Sequence, residues 1–251
     1  MSYNPFTLEG KTILITGASS GIGRATAIEC SKMGANVVIT ARNEERLAET
    51  ASQMGGGGNN QVLTADITVD DELKNLIAQL PELDGAVLCA GRGLTVPLKM
   101  ASRSKMDTVF NTNFFAQTEL TRLIYKEKKL KKGSSLVLIS SVGGNYRFEV
   151  GGGIYGASKA ALNSFMKFAA KEFSARLIRV NSVCPDMVET PLIHRGTITE
   201  EQLAKDMQNS PLGRYGKPEE VAYAAIYLLS DAAAWVTGTS LVIDGGMTSN
   251  K

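Results

Sequence analysis

At 251 residues, 43% hydrophobic and 21% charged, the chain has the size and composition of one large globular domain whose core needs neither disulfides nor a metal. A formal net charge of +2 is too small to direct it to nucleic acid or to an acidic membrane surface. Three widely spaced cysteines, Cys30, Cys89 and Cys184, argue against a disulfide framework or a metal site, and the single histidine, His194, cannot build a histidine metal centre.

The first strand pattern is TILIT (12–16), followed by the glycine-rich turn TGASSGIG (16–23) and a helical pattern over 22–33. NVVIT (36–40) precedes a helix over 44–54. GGGGNN (55–60) is a flexible connection to QVLTAD (61–66), and a helix over 70–80 leads to GAVLCA (85–90). One long helix is expected over 103–130, its end a solvated lysine cluster, KEKKLKK (126–132). SLVLIS (135–140), a helix over 154–174 and IRVNSV (178–183) follow. The irregular stretch 186–216 has the length of a substrate lid, and His194 is expected on its surface. A helix over 217–230 and SLVID (240–244) close the chain. The strands are continuous apolar runs, as parallel strands covered on both faces require, and their alternation with helices implies βαβ units in one domain spanning 1–251. No run approaches the roughly 18 apolar residues that cross a bilayer. The N-terminal MSYNPFTLEGKT holds no apolar signal core, so a cytoplasmic location is expected.

Within the turn after the first strand, Gly17 permits a sharp reversal. Gly21 lets backbone approach a pyrophosphate, and Gly23 lets helix and strand close up. The following helix N-terminus offers unpaired N–H groups to phosphate. Farther on, Tyr155 and Lys159 lie one helical turn apart and leave the same helix face. An ammonium beside a phenol favours the phenolate, which suits proton transfer at a carbonyl oxygen.

TGASSGIG together with YGASK resembles the short-chain dehydrogenase/reductase family. The resemblance continues through DGAVLCAG (84–91), TNFF (112–115), LISSVGG (138–144), RVNSVCPDMVETPL (179–192), GRYGKPEEVAYAAIYLLSD (213–231) and VTGTSLVIDGG (236–246). It implies a doubly wound Rossmann-type α/β fold with a seven-stranded parallel sheet in the order 3-2-1-4-5-6-7, and a homotetramer or homodimer. It also implies the catalytic set Asn113, Ser141, Tyr155 and Lys159, in which Tyr155 exchanges the proton, Lys159 assists it, Ser141 holds the carbonyl and Asn113 serves a water-linked relay to the lysine. Strand alternation turns Ser140 away from Ser141, and Asn111 points elsewhere than Asn113.

The cofactor-facing residues implied are Gly17, Ser19, Ser20, Gly21, Ile22 and Gly23 in the turn and Arg42 and Asn43 after the second strand. Asp66 and Ile67 follow the third strand and Ala90 and Gly91 the fourth. Tyr155 and Lys159 lie on the catalytic helix, and Pro185, Val188 and Thr190 come after the sixth strand. Ala41 stands where an NAD-binding acid is usual, and Arg42 can pair with a 2′-phosphate. NADP(H) is therefore the preferred cofactor, with NAD(H) the alternative, although Ser19 and Ser20 supply no second basic group. Asn43 also reads as a helix cap, and Asp66 as a strand-end turn residue.

Three departures from the family pattern stand out. Asp186 replaces the glycine of the usual Pro-Gly, and Leu88-Cys89 replaces a pair of asparagines. The Ser141–Tyr155 interval is also one residue longer than the commonest spacing, so the pocket wall over 143–153 is expected to be this chain's own. The expected activity is NADP(H)-dependent hydride transfer between nicotinamide and a carbonyl or secondary alcohol, with a 3-oxoacyl thioester, free or on acyl carrier protein, as one substrate class. A keto-sugar, keto-steroid or other small ketone is the alternative, and a non-catalytic NADP-binding regulatory protein is the alternative of another kind. Arg92 and Arg147 could meet an anionic substrate or stay solvated. Enoyl reductases of the family use a wider tyrosine–lysine spacing than this chain has.

Overall fold

The apolar runs become seven parallel strands: β1 (Thr12–Thr16), β2 (Asn36–Ala41), β3 (Gln61–Thr64), β4 (Leu83–Leu88), β5 (Leu130–Ile139), β6 (Arg179–Pro185) and β7 (Ser240–Ile243). In this computed structural model, which describes residues 3–55, 58–193, 199–208 and 210–249, they form one sheet in the order β3-β2-β1-β4-β5-β6-β7. His194 lies outside the described residues. Side-chain alternation splits each strand between two cores. Leu14, Val38, Leu136 and Leu138 enter the core beneath α3 (Asp70–Gln79), α5 (Ala116–Lys126) and α6 (Gly153–Phe173). Ile13, Ile15, Val37, Ile39 and Val137 enter the core beneath α1 (Gly21–Lys32), α2 (Glu44–Gln53) and α8 (Pro218–Leu229). Burial on both faces is why these strands read as uninterrupted apolar runs.

The order places β1 beside β4, so the connections leaving these neighbours run to opposite sides. The crevice at their C-terminal ends is where doubly wound sheets bind ligands. The segment expected to be one helix over 103–130 is instead α4 (Arg103–Phe110), a wider π-turn over Asn111–Phe115, and α5. Its lysine end is divided as well. α5 stops at Lys126, Lys128 takes a left-handed φ of 55°, and Leu130 already pairs with Leu83 in the sheet. Lys129 Nζ donates to the Leu80 carbonyl at 2.6 Å, capping α3, and Lys131 Nζ meets Asp84 at 2.9 Å. Strands β3 and β4 end earlier than expected, leaving Asp66 and Ala90 in the crevice loops. Within 186–216 the described helix is α7 (Glu200–Gln208). No helix among the described residues is long and apolar enough to cross a membrane.

Candidate active site

The glycine turn follows β1 at the centre of the sheet edge. Gly17 has φ +66°, and a Cβ there would lie 2.9 Å from the Ala90 backbone. The turn therefore rests directly on the end of β4. A Cβ on Gly23 would collide with the Gly17 carbonyl oxygen, so α1 begins pressed against its own turn. Ser20, which precedes α1, makes no capping bond with its side chain, and the first turn of α1 contains no acid. An open helix N-terminus with nearby hydroxyls and a backbone that tolerates close approach fits a dinucleotide pyrophosphate. Thr190, from the segment after β6, reaches over the turn, its Cγ2 being 3.1 Å from where a Gly21 Cβ would sit.

The four expected catalytic side chains converge beside this turn. Ser141 follows β5 and accepts a hydrogen bond from the Gly143 N–H at 3.1 Å, which orients its Oγ. A Cβ built at Gly143 would be 3.4 Å from Ser141 Oγ and 4.0 Å from Tyr155 Cε1, and Ser141 hydrogen-bonds the Tyr155 phenol. Ser140 turns the other way and donates to the Lys159 carbonyl at 3.2 Å, as strand alternation predicts. Lys159 is 3% exposed, and its Nζ donates to the Ile139 carbonyl at 2.8 Å. Asn113 is fully buried, whereas Asn111 is exposed. The Asn113 amide accepts from the Arg92 N–H at 2.7 Å and donates to the Arg92 carbonyl at 2.9 Å and to Ser158 Oγ at 3.1 Å. A Cβ at Gly91 would lie 3.6 Å from Lys159 Nζ and 3.7 Å from Asn113 Oδ1, so both polar groups meet at the end of β4. The π-turn is what presents Asn113 to this loop, in keeping with the frequency of such turns at functional sites. Ser158, not singled out from the sequence, bridges Asn113 to α6 by donating to the Tyr155 carbonyl at 2.7 Å.

The electrostatics correct one expectation. Burial raises the Tyr155 phenol above its ordinary value, against a lowering hydrogen bond from Ser141. Lys159 Nζ lies 6.0 Å from the ring centroid, with its own hydrogen bond going to the Ile139 carbonyl. Burial brings the Lys159 ammonium itself down to about 8.

The lost asparagine pair is replaced by other groups. Thr16 Oγ1 accepts from the Cys89 N–H at 3.1 Å and the Ala90 N–H at 3.2 Å, and the Gln117 amide donates to the Ala90 carbonyl. Leu88 meanwhile becomes core. Thr16→Val keeps the shape and strands two N–H groups, so it should lower the unfolding free energy by about 1–3 kcal/mol, read from the urea midpoint. An unchanged midpoint would show that Thr16 does not carry this segment.

At the far end of the crevice, Asn43 caps α2 by accepting from the Arg46 N–H at 2.8 Å. Asp66 Oδ1 accepts from Thr68 N at 2.9 Å and Thr68 Oγ1 at 2.6 Å, which is the strand-end turn role. Its Oδ2 lies 3.5 Å from Arg42 Nη1, and the Arg42 side chain is 74% exposed. Ile67 is buried beside it. Arg147, considered for anion binding, is instead held by Asp186 and Asp206, at 2.6 and 2.9 Å.

The chain matches, over residues 17–248, a family model described as enoyl-(acyl carrier protein) reductase. It is 36% identical to the 3-oxoacyl-[acyl-carrier-protein] reductase of Thermotoga maritima over 96% of this chain and 98% of that protein. A candidate NAD(P)-dependent gluconate 5-dehydrogenase from Beutenbergia cavernae, solved with bound NADP, superposes with a TM-score of 0.88 at 29% identity, covering 98% of this chain and 100% of that one. A single-substitution variant of actinorhodin polyketide ketoreductase, solved with NADPH, gives 0.87 at 31% identity, covering 96% and 98%.

Proposed function

The chain belongs to the short-chain dehydrogenase/reductase family of oxidoreductases, and from that premise we propose that it is an NADP(H)-dependent carbonyl reductase acting on a ketone, foremost a 3-oxoacyl thioester. The observation that carries the reading is the pairing of Ser141 with Tyr155 at the end of β5 and of Lys159 with Asn113 at the end of β4, where the glycine turn rests. When bound, the reduced nicotinamide supplies a hydride. The chain's residues do the rest. Gly17 through Gly23 and the α1 N-terminus would hold the pyrophosphate, with Ser19, Ser20 and Ile22 lining the turn. Arg42 and Asn43 would receive the 2′-phosphate. Asp66, Ile67, Ala90 and Gly91 would border the adenosine, and Pro185, Val188 and Thr190 the carboxamide.

Ser141 Oγ holds the substrate carbonyl oxygen, and the Tyr155 hydroxyl gives that oxygen its proton. The buried Lys159 ammonium faces the phenolate that this leaves. Asn113, its amide engaged by Arg92 and Ser158, fixes the loop over the lysine and so acts first by positioning. A raised phenol pKa keeps the proton on Tyr155 at neutral pH, the form from which it can donate in reduction.

Support for the 3-oxoacyl class comes from the reductases among the relatives, while the sugar-acid dehydrogenase and polyketide ketoreductase among the structures keep a keto-sugar or another ketone as the second reading. Tyr155 and Lys159, four residues apart, favour ketone over enoyl reduction, whatever the family model is called. The chain also keeps both residues that a purely regulatory NADP-binding relative would be free to lose. Assembly into a homotetramer or homodimer belongs to the same proposal. NADPH oxidation should be followed with 3-oxoacyl thioesters, keto-sugars, keto-steroids and a 2-enoyl thioester. Turnover of the enoyl substrate alone would overturn the ketone assignment, and NADPH binding without turnover of any would overturn the enzyme reading.

A further inference from the structure

Two departures from the family pattern, the longer interval before Tyr155 and the acid at position 186, meet at one side chain. Arg147 Nη1 donates to Asp186 Oδ2 at 2.6 Å, Nη2 to Asp206 Oδ1 at 2.9 Å, and Nε to Glu149 Oε1 at 2.8 Å. The Arg147 and Asp186 side chains are 14% and 12% exposed, and Asp206 31%, whereas Glu149 is 65% exposed. The first two pairs are therefore largely withdrawn from water and energetically consequential, and the third is a solvent-screened surface contact. Tyr215 OH donates to the second Asp206 oxygen at 3.3 Å, so that carboxylate is held on both sides.

Each partner belongs to a different strip of chain. Arg147 lies in the stretch that leaves Ser141, folded back so that its own N–H donates to the Val142 carbonyl at 3.0 Å. Asp186 directly follows β6, two residues before Val188. Asp206 is in the last turn of α7. A planar guanidinium can bridge two carboxylates at fixed angles, which a lysine ammonium cannot.

We propose that Arg147 is a positioning residue that clasps the 142–152 wall to the turn at Asp186 and to α7, fixing the substrate seat beside Ser141 and Tyr155. It acts through its carboxylates and touches neither substrate nor cofactor. The substrate part of this role rests on the carbonyl-reductase reading. The clasp accounts for Asp186 standing where glycine is usual, since a glycine would remove the acceptor of the shortest bond. It also removes Arg147 as a receptor for anionic substrates, because two sheltered carboxylates already face it.

The test compares the native protein with Asp206→Ala, Arg147→Ala and Arg147→Lys, using amide hydrogen exchange on each and steady-state kinetics on the same samples. At 31% exposure Asp206 is the less sheltered of the two acids, so its truncation is the mildest of the three changes to the clasp. Asp206→Ala should speed exchange about tenfold in 142–152, a strip distant in sequence from the substitution, as well as in α7. It should raise the ketone KM about tenfold with kcat and the NADPH Kd within about twofold. Arg147→Ala should extend the faster exchange to 186–190, and Arg147→Lys should restore only part of the protection. Unchanged exchange over 142–152 in Asp206→Ala overturns the clasp whatever happens to KM, and so does a fall in kcat with KM unaltered. The exchange measurement needs no turnover, so a chain that reduces no ketone would overturn the functional reading while the clasp is still judged by exchange.

Discussion

Tyr155→Phe is expected to lower kcat/KM for ketone reduction by about 10²–10⁴-fold while NADPH binds within about twofold of the native protein. The substitution removes one oxygen and keeps the ring that fills the half-buried site. Ser141 Oγ keeps its Gly143 donor, so the carbonyl can still be held, and what is lost is the proton. The loss should fall on kcat. A variant that instead raised KM at constant kcat would assign Tyr155 to binding and remove it from proton transfer. Ser141→Ala should cost less, about 10–10³-fold, because one orienting donor is lost and the acid remains.

The same phenol sets the pH behaviour. Its pKa lies above the ordinary tyrosine value because of burial, so it stays protonated through neutral pH and ketone reduction should be flat there. Alcohol oxidation needs the phenolate, and its rate should climb about tenfold per pH unit below that pKa. Burial brings the Lys159 ammonium down to about 8 in the folded protein, against an ordinary value of 10.5. The unfolded chain therefore binds more protons between those values, and stability rises with pH across that window. Below pH 8 the cost of holding the buried ammonium is fully present. Lys159→Met should thus flatten the stability profile between pH 8 and 10 while removing most of the activity. A steep rise that survived the substitution would place its origin elsewhere.

The sheet could be read from the sequence because strands buried on both faces leave uninterrupted apolar runs, and the glycine turn because close backbone approach admits no other residue. The four candidate catalytic residues are legible as a pattern whose meaning comes from resemblance. What escaped depended on contacts that spacing does not encode. The π-turn at Asn113 interrupts a continuous helical pattern, its buried amide bonded to the Arg92 backbone and Ser158. The start of β5 at Leu130 follows from pairing with Leu83, across a lysine-rich stretch that reads as solvated. Thr16 looks like an ordinary strand residue until the N–H groups of Cys89 and Ala90 arrive from 73 and 74 residues away. Arg147 and Asp186 stand out singly in the sequence and Asp206 does not, and the bonds from Arg147 to the two acids span 39 and 59 residues.

Arg42→Ala is expected to lower kcat/KM with NADPH by about 10–100-fold and to leave NADH within about threefold, the size of one or two charge-assisted hydrogen bonds. The Arg42 guanidinium is accessible for this work, being 74% exposed and held by Asp66 only through a long 3.5 Å contact. An exposed pair of that length contributes little to folding, so the variant should keep its stability. Against the burial that would raise it, the Thr68 bonds and Arg42 hold the Asp66 carboxyl below its usual value, and it is ionised at neutral pH. Without Arg42 that carboxylate faces the 2′-phosphate uncompensated, which adds repulsion to the lost attraction for NADPH and changes nothing for NADH. Salt should separate the two contributions: the NADPH KM of the native protein should rise with ionic strength, and that of the variant should respond less or in the opposite sense. Adding Ala41→Asp restores an acid where the ribose hydroxyls of NADH would be met, so the double variant should prefer NADH. Equal losses with both cofactors in Arg42→Ala would mean that Arg42 shapes the pocket without reading the phosphate. A native preference for NADH would remove the NADP(H) assignment altogether.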